Sequence, residues 1–320
     1  MNFNDVFTFK NIYQSCIECC KGVRWKTSTK NFEMELIRMT SKLYDEIHSN
    51  TFKTKGFYEF TLRERGKERK IQAVHITERA IQKCLCTYCL HPLLDKRLIY
   101  DSGATLKGKG ITFTIKRLKK HLWRYFKNNS NIGYILKIDF SKYFENINHK
   151  ILLEKVRKII KDDRLFNLYK YFINNFKGDK GLGLGSEISQ ISSLFYISEL
   201  DHFIKEKLHI KYYGRYMDDC YLVCNNKERL QNALIEIIKI CDKLKIIVNI
   251  KKTKIERLHK GFMFLNRHIL LNQSGKVLIR LSYKTRKRLN RKLKYIEKTY
   301  GKESINYKQF IPSYNSYMRG

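Results

Sequence analysis

Three carboxylates stand out in this chain because of the residues around them. Tyr216-Met217-Asp218-Asp219 lies between a basic stretch, Lys211-Tyr212-Tyr213-Gly214-Arg215, and the apolar Cys220-Tyr221-Leu222-Val223-Cys224. Those flanks predict a strand–turn–strand hairpin with both acids at its tip. Asp is rare in strands and strongly hydrated, so two in a row belong at a turn, on a metal ion, or both. Asp139 ends a similar run, Ile135-Leu136-Lys137-Ile138-Asp139, which continues as Phe140-Ser141-Lys142-Tyr143-Phe144. One acid at the end of a strand plus an acid pair on a hairpin can bind two divalent cations. Two such ions, about 4 Å apart, clamp the attacking and leaving oxygens of a phosphoryl transfer.

Those acids need a sheet, and the apolar pattern supplies one. A strand over 134–140 carries Asp139, and a hairpin over 211–224 carries the pair. Further strands are expected near 246–250 and 262–270. Residues 57–72 read as two strands around Glu64-Arg65-Gly66-Lys67. Helices are expected within 5–50 and over 77–99, 112–127, 148–176, 189–207 and 227–243. In the 112–127 helix Ile115, Leu118, Leu122 and Phe126 share one face, opposite Lys116, Lys119 and Lys120. Leu106-Lys107-Gly108-Lys109-Gly110 reads as a flexible basic loop, and Gly181-Leu182-Gly183-Leu184-Gly185 as a glycine-broken turn. A very basic helix is expected over 284–298, with Leu289, Leu293 and Ile296 as its buried stripe. The change of character near 275 suggests a small C-terminal helical module. The order predicts an α+β fold in which a sheet carries the acids and helices pack on its other face.

Composition points to the partner. Lys and Arg number 65 against 30 Asp and Glu, a formal charge of +35 on 320 residues. That excess costs a compact chain self-repulsion unless a polyanion is present, so nucleic acid is expected, bound in a salt-dependent way. The plain alternative is a Lys-rich protein of an AT-rich genome, since Ile, Asn and Lys abound and Pro occurs twice. The start Met1-Asn2-Phe3-Asn4-Asp5 does not read as a signal peptide. No run approaches the roughly 20 apolar residues of a membrane span. A cytoplasmic setting with reduced thiols is therefore expected for the nine cysteines. Cys84, Cys86 and Cys89 could suggest zinc, but 84 and 86 point to different helix faces and buried thiols fit better. His75, His121 and His149 have no matching ligand set and read as structural.

The motifs, taken in order, resemble the reverse transcriptases over nearly all of the chain. Lys137-Ile138-Asp139-Phe140-Ser141-Lys142-Tyr143-Phe144 is similar to the first palm motif of that family, Gly185-Ser186-Glu187-Ile188-Ser189-Gln190 to the second, and Tyr216-Met217-Asp218-Asp219 to the third. Leu244 to Thr253 resembles the fourth, and Gly261-Phe262-Met263-Phe264-Leu265 the primer-grip hairpin. Gly66-Lys67-Glu68-Arg69-Lys70-Ile71 resembles the fingertip hairpin. The Gly-x-x-x-Ser-Gln form of the second motif is similar to the enzymes of diversity-generating retroelements; retron and phage-defence enzymes share much of the layout. Three departures are visible. Gly183-Leu184 stands where many relatives have Pro-Gln, Asn266 stands where Gly is usual, and the chain stops at Tyr317-Met318-Arg319-Gly320.

The resemblance implies a right-hand polymerase. Fingers and N-terminal helices would occupy 1–130, the palm 131–275 and a short basic thumb 276–320. Asp139, Asp218 and Asp219, with Phe140 in the metal set, would hold two Mg²⁺. Phe144 would sit under the ribose and exclude a 2′-hydroxyl. Lys67, Arg69 and Lys70 suit a triphosphate, Arg as a fork and Lys as a point charge. Gly183 and Gly185 would let the backbone approach a base pair, and Gln190 would face the nucleotide. Lys252 would donate a proton to departing pyrophosphate. Leu184, Tyr216, Met217, Gly261 and Phe262 would face template or primer. Arg286, Arg288 and Arg291 would track duplex phosphates. The implied partners are an RNA template, a DNA or RNA primer and deoxynucleoside triphosphates, with a dedicated non-coding RNA and an accessory protein as further candidates and no membrane. The runner-up within enzymes is a phage-defence or retron reverse transcriptase making DNA from a dedicated non-coding RNA or without a template, and the rival class is a non-catalytic RNA-binding module on the same fold.

Overall fold

In the computed structural model the described residues are 1–64 and 67–300, with backbone alone at 64, 67, 296, 297, 299 and 300. The N-terminal helices Phe9–Cys20 and Leu36–His48 pack with Ile76–Leu85. Between them, β1 (Phe57–Glu64) and β2 (Lys67–Val74) form an antiparallel ribbon in register from Phe57↔Val74 to Glu64↔Lys67. The expected turn residues Arg65 and Gly66 lie outside the described residues. Cys84, Cys86 and Cys89 are buried free thiols, and burial pushes Cys84 up to about 12.

The main sheet has four strands: β3 (Tyr134–Asp139), β4 (Tyr212–Tyr216), β5 (Asp219–Cys224) and β6 (Lys254–Arg257), in the order β4-β5-β3-β6. Alternation along β3 divides its side chains between two layers. Leu136 and Ile138 join Tyr213, Cys220 and Leu222 in the larger core, together with the helices His149–Arg157, Asp163–Asn174, Glu187–Tyr196 and Lys227–Lys243. Ile135, Tyr212, Tyr221 and Val223 face a second core, supplied by Ile115, Leu118, Leu122 and Tyr125 of the helix Ile111–Asn129. A three-stranded sheet completes that core: β7 (Phe262–Phe264), β8 (Arg267–Leu271) and β9 (Val277–Leu281). Among the described residues no helix is long and apolar enough to cross a membrane.

Three expectations change. The strand expected at 246–250 is a turn that makes one bridge, Val248 to Phe140, and the pairing strand is β6. Two backbone bonds make that bridge, Ser141 N to the Ile247 carbonyl and Asn249 N to the Asp139 carbonyl, and the pairing stops there because Lys252 N and Thr253 N turn back onto the Asn249 carbonyl. The strands expected near 262–270 do form a hairpin, which turns at Leu265 and Asn266, both at positive φ (46° and 60°). Asn tolerates that region; Leu adopts it at a cost of about 1 kcal/mol. The single helix expected over 189–207 is broken at Ile197. Finally, β9 pairs with β8 across the expected boundary at 275, so the step to the terminal helix Tyr283–Tyr300 follows Leu281. On that helix Leu289 and Leu293 are only half-buried, and the Ile296 side chain lies outside the described residues.

Candidate active site

Pairing sets the three acids at neighbouring positions of the sheet end. Asp139 sits opposite Asp219 in the β3–β5 register, and Tyr216 opposite Asp219 in β4–β5, which leaves Met217 and Asp218 as a two-residue turn. Met217 takes φ 53°, a conformation that costs a non-glycine side chain free energy. Burial pushes the Asp218 carboxyl up and the charge of Asp139 adds to the shift, while Lys252 and Arg69 pull against it. Lys252 Nζ lies 3.1 Å from Asp139 Oδ1, and Asn249 Nδ2 donates to the same oxygen at 3.1 Å. The ring of Phe140 is buried against Tyr143, so only its backbone can face a ligand.

The turn is anchored from behind by a group the sequence reading left among basic flanks. Arg215 and Asp201 are both 0% exposed and form a bidentate pair, Nε to Oδ1 at 2.8 Å and Nη2 to Oδ2 at 2.6 Å. Arg215 Nη1 donates to the Met217 carbonyl at 3.1 Å, and Tyr213 Oη donates to Asp201 Oδ1 at 2.6 Å. The available signal was a charged residue in a strand whose other members, Tyr212, Tyr213 and Gly214, can all be buried. Asn249 was likewise missed.

The remaining candidates fall around this centre. Phe144 opens the 3₁₀ turn Phe144–Asn146; it is half-buried, its ring edge-on to Tyr143, and its carbonyl accepts from Leu182 N at 2.9 Å. Leu184 bridges Ile71 of β2, its carbonyl accepting from Gln72 N at 3.1 Å. The glycines serve this seam: a Cβ on Gly183 would lie 2.3 Å from Gln72 Oε1 and 2.7 Å from the Phe176 ring. Close approach at Gly183 is thus to the fingertip ribbon, where a base pair was expected. Arg69 and Lys70 are exposed on β2, and the Lys67 side chain lies outside the described residues. Gln190 lines a cleft of about 410 Å³ with Val74, Arg79, Lys83 and Gly185, and none of the three acids forms its walls.

Primer and duplex candidates divide by exposure. Gly261 takes φ 73° before β7, and the Phe262 ring is buried, so a strand passing there meets backbone. Tyr216 and Met217 are half-buried; Arg286, Arg288 and Arg291 are exposed on the terminal helix. His75 caps the helix Ile76–Leu85, and His121 and His149 are buried and hydrogen-bonded to Tyr221 and the Gly181 carbonyl.

One histidine titrates usefully. His91 hydrogen-bonds Asp95 at 3.1 Å and Glu187 at 3.3 Å, which raises its pKa to about 9. Glu187 begins the helix that carries Gln190, so this pair ties the short helix His91–Leu94 to the helix Glu187–Tyr196. The folded pKa lies above the unfolded one, so the stabilisation is fully present below about pH 6.5 and is lost as pH rises through about 9. Urea unfolding at pH 6 and pH 9.5 is expected to show a drop of at most about 3 kcal/mol that His91→Gln removes.

Fold and acid placement together define the palm of a right-hand polymerase. The family model "Reverse transcriptase (RNA-dependent DNA polymerase)" matches residues 53–306, and the chain belongs to that family. It is 22% identical over 250 residues to Protein YkfC of Escherichia coli (strain K12), covering 65% of each chain. Among solved structures it is similar in fold to apo telomerase from Candida tropicalis truncated from its C-terminal domain (TM-score 0.52, 16% identity, 70% of this chain and 55% of that one). The apo telomerase from the same organism gives 0.51 at 15% identity, covering 70% and 48%. The chain thus spans about half to two thirds of the length of these relatives.

Proposed function

We propose that this chain is an RNA-directed DNA polymerase that extends a primer by nucleotidyl transfer with Mg²⁺. The observation that carries the reading is the register that sets Asp139 opposite Asp219 with Asp218 on the adjoining turn. Hard carboxylate oxygens suit Mg²⁺, and the mutual repulsion of Asp139 and Asp218 is the kind a cation relieves. As placed, no three His, Cys, Asp or Glu side chains among the described residues converge closely enough to hold an ion. Asp139, Asp218 and Asp219 are nonetheless the residues that would hold the metal. Bound there, two ions would activate the primer 3′-hydroxyl and stabilise leaving pyrophosphate.

The chain's own groups do the rest. Arg69, near enough to act on Asp218, grips the triphosphate with Lys70. Lys252 gives Asp139 a counter-charge and must leave it to protonate pyrophosphate. Phe144 presents a half-buried face where a ribose would lie and excludes the 2′-hydroxyl. Phe144→Ala is expected to raise ribonucleotide use at least tenfold relative to deoxynucleotide use, read as a ratio of kcat/KM values; an unchanged ratio removes the gate from Phe144. Ser189-Gln190 in the second motif supports a diversity-generating-retroelement type, which sequencing of co-purifying RNA would test.

The direct test is extension of oligo(dT) on poly(rA) with Mg²⁺ and labelled dTTP, beside Asp218→Ala/Asp219→Ala. Extension that the double substitution abolishes supports the enzyme. A folded, RNA-binding chain that never extends points to the binding module instead.

A further inference from the structure

The helix Ile111–Asn129 buries one face against the main sheet, and its other face has a chemistry of its own. Lys116, Lys119, Lys120 and Trp123 recur at helical spacing, so they form one stripe, and all four are exposed. Trp123 is 48% exposed, and the Lys127 ammonium sits 3.9 Å from its ring centroid. The turn between β8 and β9 closes the far side. Gly275 lies so near Phe126 that a Cβ there would come within 2.6 Å of the ring, which seats the turn on the helix. Between them runs a groove of about 560 Å³ with Lys276 on its far wall. Among the described residues no carboxylate lines it, and none of its walls belongs to the site above.

We propose that this groove binds single-stranded nucleic acid, phosphates along the lysines and a base stacked on Trp123. The ligand must be anionic and must offer a flat ring. An acidic peptide would satisfy the lysines but leave the indole unused. A duplex would offer phosphates but keeps its bases stacked inside. A single strand supplies both, as in other stacking platforms set in basic grooves. RNA and DNA share this chemistry.

The chain has two tryptophans, so Trp25→Phe leaves Trp123 as the only indole emitter. Trp25 is 75% exposed, and its replacement leaves the core intact. Titration of that full-length variant with oligo(rU) and with oligo(dT) is expected to quench Trp123 emission; a response to only one sugar identifies the source. Polyglutamate and a blunt DNA duplex of equal length are expected to leave emission unchanged. Adding Lys116→Gln, Lys119→Gln and Lys120→Gln is expected to weaken the quenching midpoint at least tenfold and to flatten the slope of log K against log salt by about 2. Oligonucleotides that bind by anisotropy without quenching would overturn the proposal, as would equal quenching by polyglutamate or an unchanged salt slope. A second readout uses the unsubstituted chain. Crosslinking by 4-thiouridine oligonucleotides is expected within residues 116–127, and crosslinks confined to other segments would refute the groove.

Discussion

Arg215→Met is expected to destabilise the fold by about 3–5 kcal/mol and to abolish primer extension, because it strands the buried Asp201 carboxylate without its partner. Burial opposes the Arg215 charge, yet Asp201 more than compensates and keeps the guanidinium firmly protonated. Loss of activity alone would not separate a positioning role from unfolding, and the double substitution Arg215→Met/Asp201→Leu does. Replacing a buried pair by apolar groups of similar volume is often neutral or stabilising, so the double variant should recover most of the lost stability in urea, short of wild type by the about 1–3 kcal/mol that the stranded Tyr213 hydroxyl costs. Extension should not return, because the Met217 carbonyl has lost the Nη1 donor that fixes the turn. That turn carries Asp218 through a residue at φ 53°, a conformation that persists only where its surroundings enforce it. A double variant that is both stable and fully active would show that the guanidinium merely fills space.

The second large effect falls on chemistry with the fold left intact. Asp139→Asn is expected to reduce extension by about a thousandfold or more, since under the proposed mechanism it removes one of the charges that a metal and the transition state would require. An Asn carbonyl can still accept from Asn249 Nδ2, and the backbone bond from Asn249 N to residue 139 is untouched. The pair with half-exposed Lys252 is also lost, but relief of the repulsion with Asp218 opposes that loss, so the unfolding free energy should stay within about 1 kcal/mol of wild type. Affinity for a primed template should be nearly unchanged, because it rests on the excess of 65 basic over 30 acidic residues rather than on this carboxylate. Extension near the wild-type rate would take Asp139 out of the site.

Much of this protein is legible in its sequence. Period-2 alternation in Ile135–Asp139 and the apolar run after Asp219 have only one way to bury themselves, which is strand beside strand, so the acids had to meet at the strand ends. The lysine stripe of the 111–129 helix was equally plain, since 3.6-residue periodicity fixes which side chains face out. The segment 246–250 keeps a single bridge although Ile246, Ile247 and Val248 favour a strand, because the chain turns at Asn249, whose side-chain amide is held by Asp139, a partner 110 residues away. At Gly183 the sequence announces a close approach without saying to what, and the fold supplies Gln72 of β2 and Phe176 as neighbours.

By itself the sequence determined the elements, their charge and the identity of the acids, because propensity, periodicity and ionisation are properties of neighbouring residues. Only the tertiary structure decided which acid each of two basic groups meets. Arg215 and Lys252 look alike in a list of cations, yet packing of the Ser198–His202 helix against the sheet seals one on Asp201, while the turn after Ile246 carries the other to Asp139. Those partners lie 14 and 113 residues apart, and what joins them is the three-dimensional burial of apolar surface that brings distant charges into one low-dielectric place.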